Sequence, residues 1–212
     1  LSISGRPYDT LEPVIGLGEP PAAGSLREWG VGYHQIELTV RGEIDIPKVL
    51  SFLEKNNVKL ILIQRSRGYS LRPSLSIECI KRAIAVIKEK YKGITVLVDN
   101  CYGEFVEKTE PCHVGADAAV GSLIKNPGGG LAPTGGYVVG TKDTIERISY
   151  RLTCPGLGRE VGSYPASYAP FYQGLFLAPH VVGEAVKGAI LAARIFEELG
   201  YNVLPRWDEA RT

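Results

Sequence analysis

Two residues stand out for the chemistry their types and positions allow. Asp99 closes the apolar run ITVLVDN (94–100), and Lys125 closes ADAAVGSLIK (116–125) just before a string of proline and glycines, NPGGGLAPTGG. A carboxylate and a primary amine at the ends of two strands could both project into one crevice. Ligands of open α/β sheets do bind outside the carboxyl ends of the strands. The competing reading is ordinary: Asp99 caps the turn after its strand, and Lys125 is a solvated loop lysine. Around Lys125 the chain uses residues that give up backbone order or a donor, which implies a loop shaped for close contact.

The elements needed to position these groups are visible as patterns. YHQIELTV (33–40) alternates and predicts a strand. DIPKVLSFLEKNN (45–57) predicts a helix with Asp45 as N-cap and Pro47 in its first turn. VKLILIQRS (58–66) is short and continuously apolar, as a strand buried on both faces would be. Within SIECIKRAIAVIKEKYK, Ile77, Ile80, Ile84, Ile87 and Tyr91 follow helical spacing behind a capping Ser76. Residues 94–100, 116–125 and 135–141 predict three more strands. Residues 142–152 predict a helix, and 178–200 predict a long one, with Pro179 near its start and Gly200 at its end. Residues 1–30, rich in Gly and Pro, read as irregular. Strands alternating with helices predict an α/β fold: a mostly parallel sheet with helices on both faces.

Bulk properties narrow the function. The chain has 212 residues, 44% hydrophobic, with a formal net charge of +1. A sizeable core is expected. Dispersed charge argues against nucleic acid or an anionic membrane as partner. No transmembrane run and no secretory signal is read from the sequence. Cys79, Cys101, Cys112 and Cys154 match neither a zinc framework nor a disulfide scaffold, so reduced thiols in the cytoplasm are expected and no metal is expected at Cys112-His113. The chain contains no Met, even at position 1, and reads as a segment of a longer polypeptide.

Several stretches together resemble the methionine γ-lyase-like family often labelled aluminium-resistance proteins, within the cysteine/methionine-metabolism group of fold-type-I pyridoxal-phosphate (PLP) enzymes. They are SGRPYDTLE, QRSRGYS, VDNCYGEFVE, GSLIKNPGGGLAPTGGY and FYQGLFLAPHVVGEA, and they run through the whole chain. The resemblance implies PLP as cofactor, Lys125 as the Schiff-base lysine, and Asp99 as the acid at the pyridine nitrogen. It also implies Ser122 as a phosphate contact and Tyr102 as a pocket residue. Ile124 stands where the wider group often has Thr. Arg65, Arg67 and Arg72 are candidates for a substrate carboxylate or for structural use. The implied activity is a carbon–sulfur lyase acting on an amino acid by β or γ elimination. Residues 1–212 would form one domain, the cofactor-binding large domain, without the N-terminal phosphate loop and ring-stacking aromatic and without the small C-terminal domain. The intact protein would be a homodimer or homotetramer. The alternative is a non-catalytic fragment or interaction module that keeps the fold. Ser122-x-x-Lys125 also fits the S-x-x-K of serine acyl-enzymes, but Pro127 and the glycines oppose the helix that motif needs. A P-loop is excluded because Asn126, not Ser or Thr, follows the lysine.

Overall fold

The computed structural model describes residues 1–212. Its centre is a four-stranded sheet in the order β1 (Leu60–Gln64), β2 (Thr95–Asp99), β3 (Ala118–Ser122), β4 (Gly136–Gly140). The first two pairings are parallel and β4 runs antiparallel to β3. The helices are α1 (Leu11–Ile15), α2 (Ile46–Lys55), α3 (Ile77–Lys90), α4 (Lys142–Leu152) and α5 (Ala169–Glu198). The mostly parallel α/β sheet expected from the alternation is the one observed.

Caps and periodicity explain the helices that flank the core. The Asp45 carboxylate accepts from the Lys48 N–H at the start of α2, and the Ser76 hydroxyl accepts from the Cys79 N–H at the start of α3. Each such cap is worth about 1 kcal/mol. Ile77, Ile80, Ile84 and Ile87 of α3 bury one stripe, with Val49 and Leu53 of α2, against Ile61, Ile63, Val96 and Val98 of the sheet. Full burial of each such side chain contributes roughly 1.5–3 kcal/mol.

Five expectations change. The strands are not buried on both faces: in β1 and β2 the residues alternate, and Leu60 stays 41% exposed. Residues 1–5 are not irregular. Leu1 and Ile3 exchange backbone hydrogen bonds with Leu62, extending the sheet beyond β1. Residues 33–40 lie outside that added edge and make one bridge, Ser2 to Gln35, rather than a strand. With a partner this short there is no ladder to sustain. Finally, α5 begins at Ala169, so Pro179 sits inside it, not at its start. Gly200, at φ +84°, does follow its end. By length and composition α5 is also apolar enough to cross a membrane, with mean hydropathy 1.4 over its best window. The sequence reading of no such segment is corrected there.

Candidate active site

β2 ends at Asp99, and β3 ends three residues before Lys125. The parallel register sets Gln64 beside Asp99 and Asp99 beside Val120, so the carboxyl ends of β1, β2 and β3 open at one edge. The Asp99 carboxylate accepts from the Cys101 N–H at 3.0 Å, turning the chain sharply. The next residues are strained. Tyr102 and Phe105 have φ of +67° and +62°, conformations that side-chain-bearing residues rarely adopt. The Lys125 ammonium stands 4.3 Å from the centre of the Tyr102 ring, a cation–π distance.

The electrostatics run in the same direction. Partial burial lowers the Lys125 pKa, but Cys101, Tyr102 and Asp99 together outweigh it and leave the amine raised. Burial and Asp99 push the Cys101 thiol up, while Lys125 pulls it the other way. Asp99 is tied to Cys101 by its hydrogen bond, and Lys125 to the neighbouring Tyr102 by its ring contact, so the acid's loop and the amine meet at Cys101–Tyr102.

The other candidates fall in different places. Ser122, the last residue of β3, is partly exposed and pairs with Gly136 through its backbone. Arg65 is fully buried. Its donors go to Leu75 O, Asn100 Oδ1, Gly103 O and the Glu107 carboxylate. These surroundings make it an anchor of the loop after Asp99 and leave it no exposed donor for a substrate. Arg67 differs: Nη2 donates to Leu204 O, and Nη1 has no protein partner. Arg72 is spent on the carbonyls of Gln64, Ser66 and Pro73. His113 accepts from the Glu110 N–H in a turn, and Cys112 faces Val139 O, both structural uses.

Sequence reasoning missed three contributors. Cys101 was noted only as a thiol. Tyr8 packs on Tyr69 with ring centres 5.6 Å apart; its hydroxyl is pushed up to about 12, first by a hydrogen bond with Tyr69, and it feels Tyr102 as well. Aromatic rings from within the chain thus border the site, although a ring-stacking residue was expected only upstream. Asn126 donates to the carbonyls of Tyr102 and Glu104. Its signal was position alone, directly after the lysine. The glycines also have another explanation. A Cβ on Gly128 would overlap the Leu123 carbonyl oxygen, and one on Gly129 would overlap the Gly174 carbonyl of α5. These glycines let the lysine loop press on itself and on α5.

The sequence profile described as Methionine gamma-lyase matches residues 1–212. The chain belongs to the methionine gamma-lyase family. Protein YnbB of Bacillus subtilis is 53% identical over all of this chain and half of its own length. A Clostridium novyi crystal structure described as a carbon-sulfur lyase involved in aluminum resistance superposes with TM-score 0.94 at 50% identity, over 99% of this chain and 50% of that one. A Clostridium acetobutylicum structure, provisionally named a cystathionine beta-lyase involved in aluminum resistance, gives 0.95 at 50% identity, over 100% and 50%. The chain thus spans about half the length of these relatives. At 19% identity, the PLP-dependent protein YhfS of Escherichia coli shares the fold, with TM-score 0.60.

PLP, the cofactor this family membership points to, can be tested against the donor set. It needs an amine, an acid for its ring nitrogen and an aromatic face. The chain offers these three as Lys125, Asp99 and the Tyr102 ring, with the amine on the ring and the acid bonded to the N–H of Cys101 beside it. The residues fit.

Proposed function

We propose that this chain carries the cofactor site of a PLP-dependent carbon–sulfur lyase that acts on an amino acid by β or γ elimination. The observation that carries the reading is the meeting of the Lys125 amine with Tyr102, Cys101 and Asp99 at the carboxyl ends of adjacent parallel strands. Bound PLP supplies an aldehyde for a Schiff base and an electron-withdrawing ring. Asp99 would hold a proton at the ring nitrogen. Lys125 would take the proton from the substrate Cα and return it later, as a general base and then acid. The Tyr102 ring, packed over the amine, excludes water from that side. Ser122 and backbone N–H groups at the end of β3 serve the phosphate. Arg67, with its unpartnered N–H, serves the substrate carboxylate. For loss from the β carbon, the Cα electron pair would form the Cα–Cβ double bond as the carbon–sulfur bond breaks. Loss from the γ carbon would need a second proton taken from Cβ, whose electron pair then forms the Cβ–Cγ double bond. In either case the sulfur departs as thiolate and takes up a proton.

In this reading residues 1–212 are the cofactor-binding large domain, and assembly of the intact protein is homo-oligomeric. The four cysteines stand free, which suits a reducing cytoplasm. A second reading has one observation behind it. Because the chain spans half the length of its relatives, it would bind the cofactor without turnover by itself, as a binding module. Mixing the protein with PLP separates the two. Both readings expect visible absorption and, after borohydride, a covalent mass increment on Lys125, lost in Lys125→Ala. Only the first expects thiol release from a sulfur amino acid, falling by at least about 10²-fold in that variant. A Lys125→Ala protein that keeps the absorption refutes the lysine assignment in both.

A further inference from the structure

The loop after Asp99 holds three successive carbonyls, of Tyr102, Gly103 and Glu104, and all three are held by side chains from outside it. Buried Arg65 takes Gly103 O at 2.8 Å. A single amide nitrogen, Asn126 Nδ2, takes the other two, at 3.1 Å from Tyr102 O and 3.0 Å from Glu104 O. Both hydrogens of that amide are thereby used. The geometry points to Asn126 as a positioning residue: a tether that sets where the Lys125 amine stands relative to Tyr102 and Asp99.

The surroundings explain why one amide can do this. Tyr102 and Phe105 occupy left-handed backbone conformations within four residues. Such strain persists only where neighbours over-determine it. Arg65 anchors the loop from the β1 side, but it has no connection to the lysine. Asn126 is the next residue after Lys125 and opens the short 3-10 turn Asn126–Gly128. That turn has no slack, because Pro127 and Gly128 are buried and Gly128 meets Gly174 of α5 backbone to backbone. Lysine and tether therefore move as a unit. Without the amide, the acid's loop keeps its Arg65 anchor but parts from the lysine's loop. The Lys125 amine then loses the company of Tyr102, Cys101 and Asp99, which holds its pKa up.

The role rests on the reading of Lys125 as the reactive amine, and the two can fail separately. Lysine 13Cε resonances, with Lys125 assigned by Lys125→Arg, give its titration directly in the 212-residue protein. Asn126→Ala and the shorter-reaching Asn126→Ser should both lower the Lys125 midpoint toward the ordinary lysine value. Amide exchange should quicken over 101–106 and stay unchanged in α3. Borohydride trapping of PLP on Lys125 should slow by about tenfold or more, as expected for a misplaced reacting group. Asn56→Ala, which removes an amide bond to Phe52 O at the end of α2, should change none of these. A Lys125 titration and trapping rate equal to wild type in either Asn126 variant overturns the proposal. So does loss of the global melting transition in both, because the task assigned is local. If wild-type Lys125 traps no PLP, the cofactor reading fails, and the tether still stands or falls on the titration.

Discussion

Glu104 shows how a single carboxylate beside the site carries a pH dependence. Its Oε1 accepts the Tyr137 hydroxyl at 2.7 Å, while Oε2 is buried with no partner. Burial raises its pKa above the ordinary carboxylate value, and outweighs the Tyr137 bond, which acts the other way. The folded state therefore binds a proton that the unfolded chain releases. Stability is fully present below the unfolded carboxylate value, near 4.3, and is lost as pH rises through the higher folded one. Glu104→Gln keeps the acceptor for Tyr137 and cannot ionise. Its stability relative to wild type should climb from about pH 4.5 upward, reaching roughly 1–2 kcal/mol at pH 8, the cost of an unsatisfied buried group. Urea melts across that range give the answer, and a difference that shrinks with rising pH would contradict the assignment. Gly121 follows from the same pair, because a Cβ there would overlap Glu104 and the Tyr137 ring.

At the scale of elements, α5 and the lysine loop lock through Gly174 and Gly128. Gly174 sits in a helix interior, where Ala normally gains about 0.5–1 kcal/mol. Here its Cβ would strike the Gly128 carbonyl, and overpacking of that kind costs about 1–3 kcal/mol. Gly174→Ala should therefore lower Tm, by roughly 2–4 °C per kcal/mol for a chain of this size. Gly183→Ala, in the same helix with open space around it, should raise Tm. Equal shifts of one sign in both variants would show that the contact with the lysine loop carries no weight. This lock also marks the limit of what the sequence made legible. Asp99 at the end of β2, Lys125 after β3, the Ser76 cap and the isoleucine stripe of α3 could be read because each rests on local periodicity or capping. The pairing of residues 1–5 with β1 could not, because its partner is 59 residues away, as in Leu1 N–H to Leu60 O, and no local pattern records it. Arg65 was ambiguous for the same reason: its carbonyl and carboxylate partners come from turns whose geometry is set by tertiary contacts. The long helix was cut short at Pro179, since proline is disfavoured in helix interiors by about 3 kcal/mol and only tertiary packing overrides that.

Over the whole molecule, the least settled surface is α5 itself. Of its thirty residues only Gly174, Ala178, Val182 and Ala193 are buried, and those small side chains face the lysine loop and the body of the protein. Tyr172 and Phe176, then Leu191 and Ile195, with Leu199 just past the helix end, recur at four-residue steps and stay exposed, Phe176 at 84%. Four-residue steps place them in two stripes along the helix. Exposed apolar stripes of this kind mark a contact face. In the homo-oligomeric reading proposed above, the partner would be a second copy of this chain. Sedimentation equilibrium from about 1 to 100 μM should then show reversible growth above the 23.0 kDa chain, with the association constant dropping at least tenfold in Phe176→Glu and in Leu191→Glu, since each charge would have to be buried in the contact. Because Gly128 lies under the opposite face of α5, self-association should also slow amide exchange through the lysine loop. A chain that stays at its monomer mass over the whole range would mean that this face meets something other than itself.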